Sequence, residues 1–315
     1  MVNYLRGILI LISFTTHYPC QATEGGLGRA VTGAQGTFYA GLVPPDPGFS
    51  AQLSYLGFNG EIRGKREVPI AGDLAVGLDT SLDIVSLTGS YIWDTDSTTW
   101  NFASMITVPY ISLDARTTLE IGPFTGVNRD HTRDLFDIYF APVIAGLHLS
   151  EVNHVSLSVY IYAPTGDYTL GRLANPGLNT WTVSPTVGYT QLMQGGSLEW
   201  STLTAVDFYT ENEDTKIQNG AVLRLDSILV KRCANGLGYG VAGGWINQLE
   251  NDEGPLVDRL DGFRGRALAL GPLITYSRKM QSQQQVTVSA RWMKELNVRR
   301  RLEGDPLLLT FSVTF

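Results

Sequence analysis

The chain ends with residues 306–315, PLLLTFSVTF, and this stretch carries the clearest structural signal in the sequence. Apolar side chains alternate with hydroxyl side chains along most of it, as in a β-strand whose two faces meet different surroundings. Leu308 shares the polar face with Thr310, Ser312 and Thr314. The apolar face consists of Leu307, Leu309, Phe311, Val313 and Phe315. The pattern predicts a strand with one face towards an apolar phase.

The same two-residue period recurs upstream, where turn-forming residues separate the alternating segments. The period and the segment lengths predict about twelve strands in all. The predicted strands cover residues 48–62, 81–93, 99–112, 135–149, 152–163, 181–192, 197–209, 220–232, 237–249, 266–279, 284–295 and 306–315.

The connections between these strands alternate in length. Short turns at residues 94–98, 150–151, 193–196, 233–236 and 280–283 separate long links at 63–80, 113–134, 164–180, 210–219, 250–265 and 296–305. Transmembrane barrels have this asymmetry, and they carry aromatic residues near both membrane interfaces. A soluble sandwich has no reason to segregate its loop lengths in this way. The sequence therefore predicts an all-β, transmembrane, antiparallel, up-and-down β-barrel of about 12 strands with both termini in the periplasm.

The charge balance fits this interpretation. The chain has 23 Lys and Arg residues against 30 Asp and Glu residues, a formal charge of −7 that argues against a nucleic-acid partner. Charged residues make up only 17% of the sequence, which is low for a soluble domain. No apolar run approaches the roughly 20 residues that a membrane-spanning helix needs.

The first 22 residues have the pattern of a secretory signal peptide. Arg6 precedes a short apolar stretch, and Cys20 and Ala22 supply small side chains at the expected cleavage site. We expect export by the Sec route to the outer membrane of a Gram-negative bacterium. Residues 23–315 then form the barrel, with a short N-terminal periplasmic segment over about residues 23–47.

The terminal strand also resembles the signal by which outer-membrane barrels are recognised for insertion. Phe311, Val313 and Phe315 carry that resemblance. It implies that the barrel-assembly machinery is a partner through the C-terminal strand, and that the folded barrel meets outer-membrane lipid and lipopolysaccharide.

Several loop motifs resemble one family of outer-membrane barrels, named after the meta-pathway of phenol degradation. They are PTGDY at 164–168, LGRLANPGLNTW at 170–181, YTENEDT at 209–215, QLEND at 248–252 and ALALGPLITY at 267–276. Within them, the family loop motif comprises Pro164, Thr165, Gly166, Tyr168, Asn175, Gly177 and Asn212. Pro, Gly and Asn are turn formers, so we favour a structural role for this motif over direct ligand binding.

The resemblance implies a barrel associated with the catabolism of aromatic compounds and a role in transport. We therefore expect a narrow channel or transporter for small hydrophobic or aromatic compounds, without a cofactor or a metal. Two alternatives remain: a structural or assembly barrel without transport, and an outer-membrane lipid-modifying enzyme.

If the apolar faces meet lipid, the opposite faces line the lumen. The inward-facing ligand or lumen-lining candidates are Asp207, Arg224, Glu199, Arg232, Asp226, Arg291, Tyr160 and Tyr162. A single hairpin register would place Asp207 opposite Arg224 and also Glu199 opposite Arg232. We expect two opposite-charge pairs in that register.

An enzymatic function finds little support in the sequence. Outside the signal peptide, the histidines are His131, His148 and His154, and no Gly-x-Ser-x-Gly or His-Glu-x-x-His motif occurs. His148 and His154 flank a short turn without an evident third metal ligand. We expect no catalytic residues.

Overall fold

The computed structural model describes residues 28–71, 73–121, 124–254, 264–281 and 284–315. The predicted signal peptide lies outside these residues. The strands are β1 (Gly48–Ile70), β2 (Asp73–Ile92), β3 (Trp100–Ile121), β4 (Phe124–Leu135), β5 (Tyr139–His148), β6 (Asn153–Tyr162), β7 (Thr182–Met193), β8 (Leu198–Tyr209), β9 (Glu211–Asn212), β10 (Ile217–Gln218), β11 (Val222–Arg232), β12 (Leu237–Gln248), β13 (Arg266–Lys279), β14 (Gln285–Trp292), β15 (Lys294–Arg299), β16 (Glu303–Gly304) and β17 (Leu307–Thr314).

Twelve of these strands close into an antiparallel barrel, which confirms the predicted fold. Neighbours along the chain pair with each other, β17 pairs with β1, and the pairing of β12 with β13 completes the ring. Strands β4, β15 and β16 extend the wall beyond it, while β9 and β10 form a small separate hairpin. The described residues contain no helix long and apolar enough to cross a membrane.

Two hairpins are longer than the sequence predicts. Links 63–80 and 113–134 are largely strand, with β1 paired to β2 up to Ile70 and β3 paired to β4 up to Ile121. In these extensions the apolar side chains lie on the inner face of the wall instead of the outer face. Leu78 and Leu82 are buried inside, whereas Asp79 is exposed on the outer face. Beyond the membrane the outer face meets water, so its side chains are no longer apolar. A prediction that requires apolar residues on the outer face therefore ends these strands too early.

The outer surface carries the apolar belt of a membrane barrel. Along β13 the outward side chains are exposed and the intervening ones are buried or half-buried. The outward series begins with Arg266, ends with Arg278 and is uncharged between them. Its members are Arg266, Leu268, Leu270, Pro272, Ile274, Tyr276 and Arg278. We infer that the two arginines mark the edges of the bilayer on this strand.

The substitution Leu270→Arg tests this position of the belt. An arginine on the lipid face near the membrane centre costs about 2–4 kcal/mol, and one near an interface costs about 0–1 kcal/mol. Urea unfolding in lipid vesicles should therefore show a large loss for Leu270→Arg and a small one for Tyr276→Arg, the matched control beside Arg278. Equal losses at the two positions would place the membrane elsewhere on β13.

The N-terminal residues lie inside the barrel. Arg29 donates to Thr182 Oγ1 at 3.0 Å, near the long-loop end, whereas the Gly41 N–H donates to Thr190 Oγ1 at 2.9 Å, nearer the short turns. Residues 28–43, here called the lumen segment, thus run lengthwise through the lumen. The expected periplasmic position of residues 23–47 is therefore wrong for this part. Gly33 and Gly244 explain the close fit, because a Cβ on Gly244 would lie 2.2 Å from the Gly33 nitrogen.

Candidate functional site

Arg29 holds the upper part of the lumen segment, where "upper" denotes the end with the long loops. Its side chain and that of its ion-pair partner Asp137 are both fully buried. The guanidinium also donates to the Thr180 carbonyl and lies 5.5 Å from the centre of the Tyr162 ring. A buried ion pair with additional donors and acceptors fixes this end of the segment to the barrel wall.

The middle of the lumen segment rests on β11, β14 and β15. The Thr32 hydroxyl donates to Glu295 at 2.7 Å, and Arg291 donates to the Ala34 carbonyl at 2.9 Å. A Cβ on Gly36 would lie 3.2 Å from Arg291 Nη1 and 3.3 Å from the Cβ of Asp226. Glycine at this position lets the segment pass between the two charged side chains.

The lower part of the lumen segment packs on β6, β7, β8 and β11. The Tyr39 N–H donates to Glu199 at 2.6 Å, and the Ser156 hydroxyl donates to the Ala40 carbonyl at 2.7 Å. The Arg232 guanidinium lies over the rings of Phe38 and Tyr39, at 5.0 and 4.8 Å from their centres. The segment is therefore tied to the wall along its length.

Asp137 joins the lumen segment to a long loop at the upper end, residues 164–178, here called the upper loop. Its Oδ1 accepts from the Gly166 N–H at 2.9 Å, and its Oδ2 accepts from the Leu178 N–H at 3.0 Å and from Arg29. One buried carboxylate thus holds two different closing elements.

The family loop motif builds the upper loop and its neighbourhood. Thr165 Oγ1 accepts the Ile138 N–H at 2.9 Å, while Asn175 Oδ1 accepts the Thr169 N–H at 2.8 Å. Pro164 comes two residues after the end of β6, and Tyr168 borders the lumen. On the next loop, Asn212 Oδ1 accepts from the Asn179 side chain at 2.9 Å. These contacts support the turn-forming role.

Strand β4 supports the upper loop from outside the membrane. Asp130 Oδ2 accepts from the Ala174 N–H at 2.9 Å and from Arg172 Nε at 3.2 Å. Partial burial raises the pKa of Asp130, but the backbone donors Ala174 and His131 and the Arg172 charge outweigh it, so the pKa lies below its ordinary value. The loop contact is therefore retained at neutral pH.

Gly177→Ala should loosen the upper loop. A Cβ on Gly177 would lie 2.4 Å from the Gly166 oxygen, so the two arms of the loop must separate. We expect faster proteolysis of the loop in the folded barrel and a loss of stability of about 1–3 kcal/mol. Gly89→Ala is the matched control, because its added methyl group meets only ordinary contacts, at 3.6 Å or more. Identical proteolysis of both variants would contradict the close contact.

A cavity of about 420 Å³ lies beside the lumen segment, here called the lumen cavity. Apolar side chains border its upper half and hydroxyl and amide side chains border much of its lower half. The upper group includes Leu56, Leu82, Ile84, Ile111, Leu113 and Phe136, and the lower group includes Gln52, Ser54, Ser86, Thr88, Ser289 and Thr310. Of the candidates from the sequence, Tyr160, Tyr162, Arg224 and Arg291 border this cavity.

Both charge pairs that the sequence suggests are present, but the predicted register is wrong. Arg224 donates through Nε and Nη2 to Asp207, at 2.7 Å in each case, and Arg232 binds Glu199. The residue opposite Asp207 is Val222 rather than Arg224, a shift of two positions. A shift of two keeps every side chain on its face, and diagonal neighbours two residues apart are within reach of long side chains.

Arg29 and Asp137 are not among the site residues that the sequence predicts. Arg29 lies in a glycine-rich stretch that has the composition of a linker, and Asp137 lies between predicted strand residues. A signal existed for Asp137, since an isolated acid within the apolar run from Leu135 to Tyr139 needs a partner when buried. The identity of that partner depends on where the lumen segment folds.

Two of the three histidines, His148 and His154, form a hydrogen bond with each other. His148 Nδ1 and His154 Nδ1 lie 2.7 Å apart, and His148 Nε2 lies 2.7 Å from Asn101 Oδ1. His131 is exposed, with Nδ1 3.9 Å from Asp114 Oδ1. Among the residues that the structure describes, no three His, Cys, Asp or Glu side chains come together to hold a metal ion.

Comparison with known proteins gives a family and a fold. A family model described as "Putative MetA-pathway of phenol degradation" matches residues 64–311. An outer membrane channel from Pseudomonas putida F1 is structurally similar, with a TM-score of 0.67 and 12% identity over 88% of this chain and 98% of that chain. A Pseudomonas aeruginosa FadL homologue has a TM-score of 0.48 and 12% identity, over 95% of this chain and 98% of that one. No curated protein matches the chain.

Proposed function

We propose that this chain, which belongs to the family described as "Putative MetA-pathway of phenol degradation", is a narrow channel. Its fold is that of an outer-membrane barrel of a Gram-negative bacterium. Its solutes are small hydrophobic or aromatic compounds, and its role is linked to the catabolism of aromatic compounds. The observation that carries the proposal is the lumen cavity, because most side chains that border its upper half are apolar inside a barrel whose outer face meets lipid.

The closing elements support a narrow channel rather than a wide pore. The lumen segment and the upper loop meet at Asp137, so both elements narrow the space that ions and sugars would need to pass. A cavity remains beside them, bordered by β1, β2 and β3. A barrel of this size lies between filled 8-stranded barrels and open 16-stranded porins.

A structural barrel without transport is the second candidate. The observation that favours it is the dense set of contacts along the lumen segment from Arg29 to Gly41. The lumen cavity favours a channel instead, because a filler without transport has no need of an apolar space of about 420 Å³ beside it. The P. putida protein, named as an outer membrane channel, supports the same choice.

We also propose that this chain reaches the membrane through the barrel-assembly machinery and is not an enzyme. Phe311 and Phe315 on the terminal strand are exposed on the outer face, as an insertion signal requires. Lipid and lipopolysaccharide are the partners of the outer apolar belt.

Uptake by intact cells tests the channel directly. A porin-deficient Gram-negative host is supplied with radiolabelled phenol or with the trisaccharide raffinose, with and without this barrel in its outer membrane. We expect the barrel to accelerate phenol uptake and to leave raffinose uptake unchanged. A correctly folded barrel that leaves phenol uptake unchanged would refute the channel and favour the structural barrel.

A further inference from the structure

The polarity of the lumen cavity changes within a single step along β1 and along β2. On β1 the inward side chain changes from Ser54 to Leu56, and on β2 it changes from Ser86 to Ile84. Successive inward side chains are about 6.8 Å apart along a strand. This spacing is comparable to one aromatic ring with one polar substituent. The boundary therefore fits a molecule with an apolar end and a polar end.

The charged groups that border the cavity already have partners. Its charged lining, among the described residues, consists of Arg29, Arg224 and Arg291. Arg29 pairs with Asp137, and Arg224 forms a two-point contact with Asp207 at 2.7 Å. Arg291 donates to the Ala34 carbonyl and flanks Gly36 together with Asp226. Two of the three cations are thus held in ion pairs, and the third donates to a backbone carbonyl. A carboxylate solute would lose its hydration and would have to compete with these partners, and burying such a charge is costly.

The size and lining of the cavity suit a single ring. An engineered cavity of about 150 Å³ holds benzene, and typical ligand pockets measure about 300–1,000 Å³. The lumen cavity, at about 420 Å³, is larger than that engineered cavity and therefore has room for a substituted ring. Tyr139 and Tyr162, which stack with their centres 4.9 Å apart, and Phe136 supply aromatic surface at its wall.

We propose that the upper half of the lumen cavity is a binding site for neutral, one-ring amphiphiles such as phenols. The ring lies among Leu56, Ile84 and Leu113, and the hydroxyl group reaches the Ser54 and Ser86 side chains below. The site excludes the corresponding carboxylates. This inference rests on the proposed channel function and specifies its substrate class and the place where the solute pauses.

Fluorine NMR with the full mature chain in lipid nanodiscs tests the site. The probes are 4-fluorophenol, which is neutral at pH 7, and 4-fluorobenzoate, which is anionic. We expect saturable broadening of the fluorophenol signal beyond that in empty nanodiscs, and none for fluorobenzoate. Equal saturable binding of the two probes, or none of the phenol, would overturn the proposal.

A pair of adjacent variants locates the binding. Ile84→Trp fills the cavity, whereas Val85→Trp places the same side chain on the lipid face, where Val85 is 44% exposed. We expect Ile84→Trp to weaken fluorophenol binding at least about tenfold, and Val85→Trp to leave it unchanged. If Ile84→Trp does not fold, Leu113→Trp with Ser112→Trp as its control repeats the comparison on β3. Equal effects of an inward and an outward variant would refute the site.

Failure of the site and failure of the channel can be told apart. Fluorophenol binding that responds to Ile84→Trp, without any phenol uptake by cells, would refute the channel and leave the binding site intact. Phenol uptake without saturable, Ile84-dependent binding would leave the channel intact and refute this site.

Discussion

Deleting residues 28–43 is expected to open the barrel. The lumen segment occupies the interior of the barrel. It contacts the wall at Asp137 near its upper end and at Thr190 near its lower end. None of the twelve barrel strands includes any of its residues, since β1 begins at Gly48. An unfilled barrel of twelve strands lies between filled and open barrels, so we expect ion conductance in planar bilayers to rise by at least about an order of magnitude.

Raffinose uptake into liposomes supplies a second readout for this deletion. The intact chain should exclude the sugar, and the shortened chain should admit it. Both proteins must show the heat-dependent electrophoretic mobility of a folded barrel. A folded, shortened chain that conducts no better than the intact one would mean that the lumen segment does not close the path.

Asp137→Ala is expected to destabilise the folded barrel strongly. It leaves the fully buried Arg29 without its partner, and removing one member of a buried ion pair costs about 3–5 kcal/mol. It also removes the acceptor for the Gly166 and Leu178 N–H groups. Urea unfolding in lipid vesicles measures the loss, and increased ion conductance should accompany it because both closing elements are released.

Two variants separate this effect from a general sensitivity to charge removal. Glu211→Ala removes one member of the exposed Glu211–Lys216 pair, whose atoms are 3.2 Å apart, and should cost only about 0–1 kcal/mol. The double variant Arg29→Met with Asp137→Leu replaces the buried pair by apolar side chains and should recover most of the loss. A small loss for Asp137→Ala, equal to that for Glu211→Ala, would contradict the role of Asp137 as a joint anchor.

The sequence predicts the barrel because lipid imposes a strict two-residue period on its outer face. The strand count, the closure and the inward position of Asp207 and Arg224 all follow from that period. The register between β8 and β11 does not follow, because the connecting residues 210–219 include the β9–β10 hairpin, and a shift of two positions leaves the pattern unchanged.

The lumen segment escapes prediction for a different reason. Its backbone carbonyls accept hydrogen bonds from Arg291 and Arg301, and a backbone N–H donates to Glu199. Many of its contacts with the wall therefore use backbone groups, which do not depend on the residue type. Gly33, Gly36 and Gly41 permit close approach to the wall, yet glycines also typify flexible linkers. The sequence alone does not distinguish a glycine that permits close packing from a glycine in a flexible linker. The structure of the lumen does.

Phenol uptake through a blocked lumen cavity tests the proposed channel most directly. Cells of the porin-deficient host carry the native chain, Ile84→Trp or Val85→Trp at equal levels of folded barrel in the outer membrane. We predict that Ile84→Trp lowers phenol uptake to that of the host alone, and that Val85→Trp transports like the native chain. Native uptake by Ile84→Trp would contradict the proposal, because the solute would then not cross through this cavity.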